Sequence, residues 1–203
     1  SPVERSGVPH MRTPASPRLT IEHALLGFIY EQPTHGYDIY QQLAAQTGLW
    51  QVWRLKQSQL YALLTKLEEN GYITADVQSQ AARPPRKIYS LTVRGRTALQ
   101  GWLHSPVNRG RQMRTEFLAK FYFACRQSPQ LADHLLVQQL AACEAWLADL
   151  RQTAIAPQPE IFTYAVQQFR ISQVEAFLAW LITCRQALPT AANRSARTDV
   201  NSG

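Results

Sequence analysis

Within residues 57–92 the side chains best equipped for chemistry form hydrogen bonds or carry positive charge. Ser58, Gln59, Tyr61, Thr65 and Lys66 cluster on one side of a helical repeat, and Arg83, Arg86 and Lys87 crowd a Pro84-Pro85 turn downstream. Hydroxyls, a carboxamide and cations in one short module are the groups that bond to base edges and phosphate oxygens. Charge is concentrated here as well. Residues 51–96 hold eight cations against three anions, a net +5 of the chain's formal +7, which is what neutralising a run of phosphates requires.

The elements that must position these groups can be read around them. Leu60, Leu63, Leu64 and Leu67 recur at i, i+3, i+4 and i+7, the apolar stripe of a helix whose opposite side is small and polar. Asn70-Gly71 stops that helix, and Tyr72-Ile73-Thr74 begins a strand. Lys87-Ile88-Tyr89-Ser90-Leu91 alternates as the returning strand after a rigid, basic turn. Upstream, residues 21–31 and 37–47 read as two further helices, separated by Pro33 and closed by Gly48. Trp50 and Trp53 flank the approach to the third and are expected to be packing anchors rather than a stacking platform for a ligand. Three helices with a turn before the third, then a hairpin, make a winged helix-turn-helix.

After Thr92 caps a helix over 93–104, the segment 105–110 (Ser-Pro-Val-Asn-Arg-Gly) marks a domain boundary. No strand signal follows it. Helices are expected over 111–126, 130–153 and 161–188, punctuated by Pro129, Pro157, Pro159 and Pro189. Leu136, Leu140 and Leu147 on one helix, and Ile171, Val174, Leu178 and Leu181 on the next, repeat at coiled-coil spacing. Trp146, Phe169, Phe177 and Trp180 widen those stripes beyond what one partner helix covers, so the helices are expected to pack on each other and on a second subunit, with the seam residues at the dimer interface. The fold class that follows is mainly α with a small antiparallel β-wing. A winged helix-turn-helix spans 19–106 and a helical dimerisation domain with room for an effector spans 107–190. Unstructured tails over 1–18 and 191–203 flank them, with Met11 a candidate natural start.

Other functions find little support. The chain lacks G-x-S-x-G, P-loop and dinucleotide fingerprints. Its histidines are scattered without a metal-ligand face, and Cys125, Cys143 and Cys184 are odd in number and sit on apolar helical stretches. Neither enzyme activity, cofactor, metal nor disulfide is expected. No apolar run reaches the ~20 residues that a membrane span needs, so a cytoplasmic protein with no membrane partner is expected.

Several spaced segments also resemble one family. Leu25-Leu26-Gly27, Thr34-His35-Gly36-Tyr37-Asp38-Ile39, Ser58-Gln59-Leu60-Tyr61-Ala62-Leu63-Leu64, Leu67-Glu68-Glu69-Asn70-Gly71-Tyr72-Ile73 and Pro84-Pro85-Arg86-Lys87-Ile88-Tyr89-Ser90-Leu91-Thr92 are similar, in order, to the PadR family of bacterial transcriptional regulators. Arg114-Thr115-Glu116-Phe117-Leu118-Ala119-Lys120 resembles the opening of the longer PadR C-terminal domain. The resemblance implies a homodimeric winged-helix repressor of double-stranded DNA, often responsive to a small molecule such as a phenolic acid or drug.

From the residues themselves, Gln59 is the expected base reader, with Gln57 at the same helix start. Ser58, Tyr61 and Tyr37 are expected on phosphates, and Lys66, Arg83, Arg86 and Lys87 supply charge. Two copies of the helix would read a near-palindromic operator. Trp50, Trp102, Tyr122, Phe123 and Trp146 could line a cavity for a small aromatic effector or simply fill the core, and no effector-binding residue is assigned. The rival reading is a winged helix used for protein–protein contacts.

Overall fold

The computed structural model describes residues 20–45, 49–80, 83–153 and 160–188 of the 203. The expected tails and the helix end at 46–48 lie outside the described residues. Helix α1 (Thr20–Glu31) is followed by strand β1 (Thr34–His35), α2 (Gly36–Ala44), the single turn α3 (Leu49–Val52) and α4 (Gln57–Glu69). Strands β2 (Ile73–Gln80) and β3 (Arg83–Leu91) form the wing, and α5 (Val93–Leu103) closes the module. Then come α6 (Gly110–Gln112), a π-helical turn (Met113–Phe117), α7 (Leu118–Gln127), α8 (Pro129–Thr153) and α9 (Ile161–Ala187). The mainly helical class with a small antiparallel sheet is therefore correct, and no described helix is long and apolar enough to cross a membrane.

The sheet has one strand more than the hairpin read from sequence. β1 pairs antiparallel with the far side of β3, Thr34 opposite Tyr89 and His35 opposite Ile88, giving the order β1-β3-β2. Two residues are too few to show a period-two pattern, so Thr34-His35 reads as a turn when only the sequence is in hand. The β2–β3 ladder runs from Ile73 opposite Leu91 out to Gln80 opposite Arg83, with a bulge between Gln78 and Gln80.

α1 is the central beam of the first core. Ala24, Leu25, Leu26, Phe28 and Ile29 are all buried, because α1 lies against α4, α5, α7 and β3 together. The α4 stripe meets it through Leu60, Leu64 and Leu67, each such leucine contributing roughly 1.5–3 kcal/mol of burial. The base of the wing is knotted by Thr92. Its Oγ1 accepts the Gly95 N–H at 3.0 Å, capping α5, and donates to the Gly71 carbonyl at 2.7 Å. Gly71, at φ +71°, turns the chain out of α4, a conformation costly for residues with a Cβ. Gly95 lies so close to the β2 entry that a Cβ there would stand 1.9 Å from the Tyr72 carbonyl oxygen.

The second core is the α8–α9 pair with the π-helical turn. Leu136, Leu147, Val174 and Leu181 are buried in it, and Leu140, Ile171 and Leu178 pack against it half-buried. The heptad-like seam thus joins two helices of a single chain, the part of the expectation in which these helices pack on each other. Packing also crosses the boundary read at residues 106–107, since Ala119 and Phe123 of α7 belong to the first core. Of the aromatic residues considered for a cavity, Trp102 and Phe123 are core, while Tyr122 and Trp146 are half-buried. The Trp50 side chain is outside the described residues.

Where the cores meet, Lys120 is 2% exposed. Its Nζ donates to the Ser105 carbonyl at 2.7 Å and lies 3.6 Å from Glu116 Oε1. Burial pulls the Lys120 ammonium below the ordinary lysine range, and Glu116 opposes that shift. Between the lowered native value and the unfolded value near ~10.4, the unfolded chain holds a proton that the native one lacks, so stability rises with pH across that window. Below it the whole cost of burying the charge is present. Urea unfolding of the wild type and Lys120→Met is expected to show the wild type gaining on the variant as pH climbs toward 10.4. Parallel pH dependences would contradict this.

Candidate nucleic-acid interface

The polar side of α4 is the outward side. Gln57, Ser58, Gln59, Tyr61, Ala62, Thr65 and Lys66 are exposed, whereas Leu60, Leu64 and Leu67 are at most 1% exposed. Lys56 flanks the helix start in extended conformation. Gln59 Oε1 accepts the Lys56 backbone N–H at 3.0 Å, satisfying one of the amides that a helix start leaves unbonded. The carboxamide expected to pair bidentately with adenine is therefore a helix cap in the free protein, with its amide N–H groups left to donate. Thr65 is occupied as well, its hydroxyl donating to the Tyr61 carbonyl at 3.1 Å.

A cleft of about 520 Å³ joins the start of α2, the middle of α4 and the wing. Tyr37, Tyr61, Arg86 and Lys87 all line it, with His35 and Asp38, so four of the nine residues expected to bind nucleic acid converge on one slot. Local packing fixes their approach. A Cβ on Gly36 would come within 2.8 Å of the Tyr61 ring, so the glycine lets α2 begin against that tyrosine. His35 Nδ1 sits 3.0 Å from the Lys87 carbonyl oxygen, a distance at which an Nδ1–H donates to it, tying β1 to the wing beside the cleft. Tyr37 is 52% exposed, and its hydroxyl oxygen accepts from Gln41 Nε2 at 2.7 Å. The first residues of α2, Gly36, Tyr37 and Asp38, line this slot, so the positive end of a helix dipole stands beside it, partly offset by the Asp38 carboxylate.

The cations divide into three kinds. Lys66 reaches back to Glu22 of α1 at 3.0 Å, and Lys87 spans from wing to α4 to meet Glu68 at 2.9 Å. Glu68 holds the Lys87 ammonium above its ordinary range, by hydrogen bond and by charge. Arg94 is structural: it donates to the Asn70 carbonyl at 2.7 Å and lies 4.6 Å from the Tyr72 ring centre. Arg96 lies over Tyr30 at 5.7 Å. Arg86 is exposed and makes no ion pair with a described residue. Arg83 begins β3, and its side chain lies outside the described residues. Composition counts all these cations alike, and only their neighbours separate those engaged at home from those, such as Arg86, held outward.

A second cavity, of about 650 Å³, opens between α1 and the link to the helical domain, lined by Ile21, Trp53, Arg109, Arg111, Gln112 and Glu116 among others. Gln112 Oε1 is buried with no hydrogen-bond partner among the described residues.

Residues 25–101 match the model of the transcriptional regulator PadR-like family, and residues 113–189 match that of the virulence activator alpha C-terminal domain. The negative transcriptional regulator PadR of Bacillus subtilis (strain 168) is 30% identical over 173 residues, covering 79% of this chain and 93% of the relative. Its crystal structure in complex with operator DNA aligns at 30% identity over 83% of this chain and 99% of that one, with a TM-score of 0.40. The complex of the same protein with p-coumaric acid aligns at 28% identity over 85% and 97%, with a TM-score of 0.36.

Proposed function

This chain belongs to the PadR-like family of transcriptional regulators, and from that membership we propose that it is a homodimeric repressor that binds a near-palindromic double-stranded operator and leaves it when a small aromatic effector binds. The observation that carries the DNA reading is the outward polar side of α4 beside a cleft where Tyr37, Tyr61, Arg86 and Lys87 converge. Base edges are met by Gln57 and Gln59 at the start of α4. Ser58, Tyr61 and Tyr37 hold phosphates, with Lys66, Arg83, Arg86 and Lys87 adding charge.

Selection from a random duplex pool, followed by anisotropy titrations across salt concentrations, tests this reading. Recovery of a two-fold symmetric sequence is expected. Arg86→Ala should reduce the slope of log affinity against log salt by about one. Lys87→Ala should reduce it by less, because Lys87 must leave Glu68 before it neutralises a phosphate. Equal binding to operator and scrambled duplex, with both slopes unchanged, would overturn the assignment.

For the dimer, the support is the first half of α9. Ile161, Phe162, Tyr164, Val166 and Phe169 are exposed on it, Phe162 by 69% and Phe169 by 66%, while the seam residues of α8 and α9 are already engaged within one chain. Large apolar side chains left open along residues 161–169 fit a second copy of the same face. For the effector, the support is the 650 Å³ cavity. Trp53 and Ile21 offer an apolar wall, Arg109 and Arg111 suit a carboxylate, and Gln112 adds a carboxamide whose Oε1, buried and unbonded among the described residues, would accept a phenolic hydroxyl on turning toward the cavity. The relative solved with p-coumaric acid has a ligand of this chemistry. Binding there shifts the DNA-bound population by the effector's differential affinity for the two geometries.

A further inference from the structure

α7 serves two cores at once. Ala119 and Phe123 face the winged module, while Ala124 and, two turns earlier at the end of the π-helical turn, Phe117 face the α8–α9 pair. Its hold on the winged module is close. A Cβ on Gly27 of α1 would come within 2.6 Å of the Phe123 ring, and that ring meets Phe28 edge-on at 5.1 Å. Arg126 forms a two-point pair with Glu31 of α1, its second bond being 2.6 Å.

The remaining tie is a buried ionic cluster. Glu116, in the π-helical turn, accepts the Trp102 Nε1–H on Oε1 at 3.1 Å and Gln112 Nε2–H on Oε2 at 2.8 Å. Lys120, one turn on, reaches Ser105 and Glu116 and lies 5.6 Å from the Trp102 ring centre. His23 of α1 stacks on the Trp102 ring, the centroids 5.3 Å apart. The cluster thus bolts the end of α5, the link after it and the start of α7 into one unit. A buried ion pair is seldom more stable than well-packed apolar side chains of the same volume. What it fixes is geometry, because each charge tolerates few arrangements that leave it bonded. π-helical turns, moreover, recur where a helix is bent to a functional purpose.

We propose that Lys120 is a positioning residue: the Lys120–Glu116–Trp102 cluster sets the angle between the winged module and the helical domain, and thereby the distance between the two recognition helices on DNA. The inference rests on the dimeric operator reading above. It also gives the effector cavity a route to the DNA-binding side, since Gln112 and Glu116 line that cavity and belong to the cluster.

The test compares the wild type with Trp102→Phe, which removes the indole N–H donor together with part of the ring that His23 and Lys120 meet, and with the charge-free double variant Lys120→Met/Glu116→Gln. Affinity is measured for a single half-site, for the selected operator, and for operators with one base pair inserted or removed between the half-sites. Thermal unfolding in parallel confirms that each variant is folded. The wild type should prefer the native spacing by about tenfold, as rigid two-point attachment requires. Folded variants should bind the half-site as the wild type does and lose most of that preference. Lowered stability alone would weaken all the duplexes together and leave their ratio unchanged. If the double variant does not fold, Trp102→Phe decides. Variants that keep the full spacing preference overturn the role given to Lys120, whereas a wild type with no preference for two half-sites over one removes the dimeric reading itself and this inference with it.

Discussion

Gly95→Ala is expected to destabilise the protein by about 3 kcal/mol or more, at the upper end of what overpacking costs. The added methyl would lie 1.9 Å from the Tyr72 carbonyl oxygen. Backbone on both sides forbids an easy retreat. α5 is fixed there by the Thr92 cap, and Tyr72 leads into β2 beneath the wing. Gly101, six residues on in the same helix, has nothing within 4 Å of an added Cβ. Gly101→Ala should therefore gain up to ~1 kcal/mol from helix propensity alone. Opposite signs from the same substitution in one helix separate packing from propensity, and urea unfolding of the two variants reads them directly. A Gly95→Ala protein as stable as the wild type would mean that α5 does not sit against the β2 entry as described.

Replacing Phe162 and Phe169 together by Asp is expected to lower operator affinity by about a hundredfold, the gain that linking two half-site contacts ordinarily supplies. Both rings are largely exposed in the single chain, so the substitutions should change monomer stability by no more than ~0.5 kcal/mol. They would place charges where two apolar faces meet. Sedimentation should show the variant as a monomer, with half-site affinity retained. A variant that remains dimeric would move the subunit contact elsewhere on the helical domain.

Much of this architecture is legible in the residues. Pro33, Pro129 and Gly71 bound helices where the breakers stand, and the leucine stripe of α4 separates an inner from an outer side that the structure preserves. Three features escaped for identifiable reasons. β1 is too short to carry a pattern. The π-helical turn spans Met113–Phe117 without a proline or glycine to announce it, and it is defined by which backbone bonds form. The seam of Leu136, Leu147, Val174 and Leu181 has the spacing of a helix pair, and spacing alone does not say whether the partner helix is in the same chain.

The interface was legible in kind and less so in detail. Residue type places Gln59, Tyr61, Arg86 and Lys87 on an outward, hydrogen-bonding surface. It does not reveal that Gln59 caps its own helix or that Lys66 and Lys87 already hold carboxylates. Those bonds depend on Glu22, Glu68 and the Lys56 backbone, which arrive from elsewhere in the fold or from the preceding turn. Arg94 shows the converse, a cation in the basic segment whose guanidinium is committed to Asn70 and Tyr72.

A pair of glutamate substitutions tests directly whether the exposed side of α4 meets DNA. Ala62 lies on that side, and Ala141 lies exposed on α8, in the helical domain. Each substitution changes net charge equally within a helix, while only the first sets a carboxylate against phosphates, a juxtaposition costing several kcal/mol. Anisotropy titration of the selected operator is expected to show Ala62→Glu binding about a hundredfold or more weakly, with its thermal unfolding unchanged, and Ala141→Glu binding as the wild type does. An Ala62→Glu protein that is folded and holds the operator with undiminished affinity would contradict the central claim.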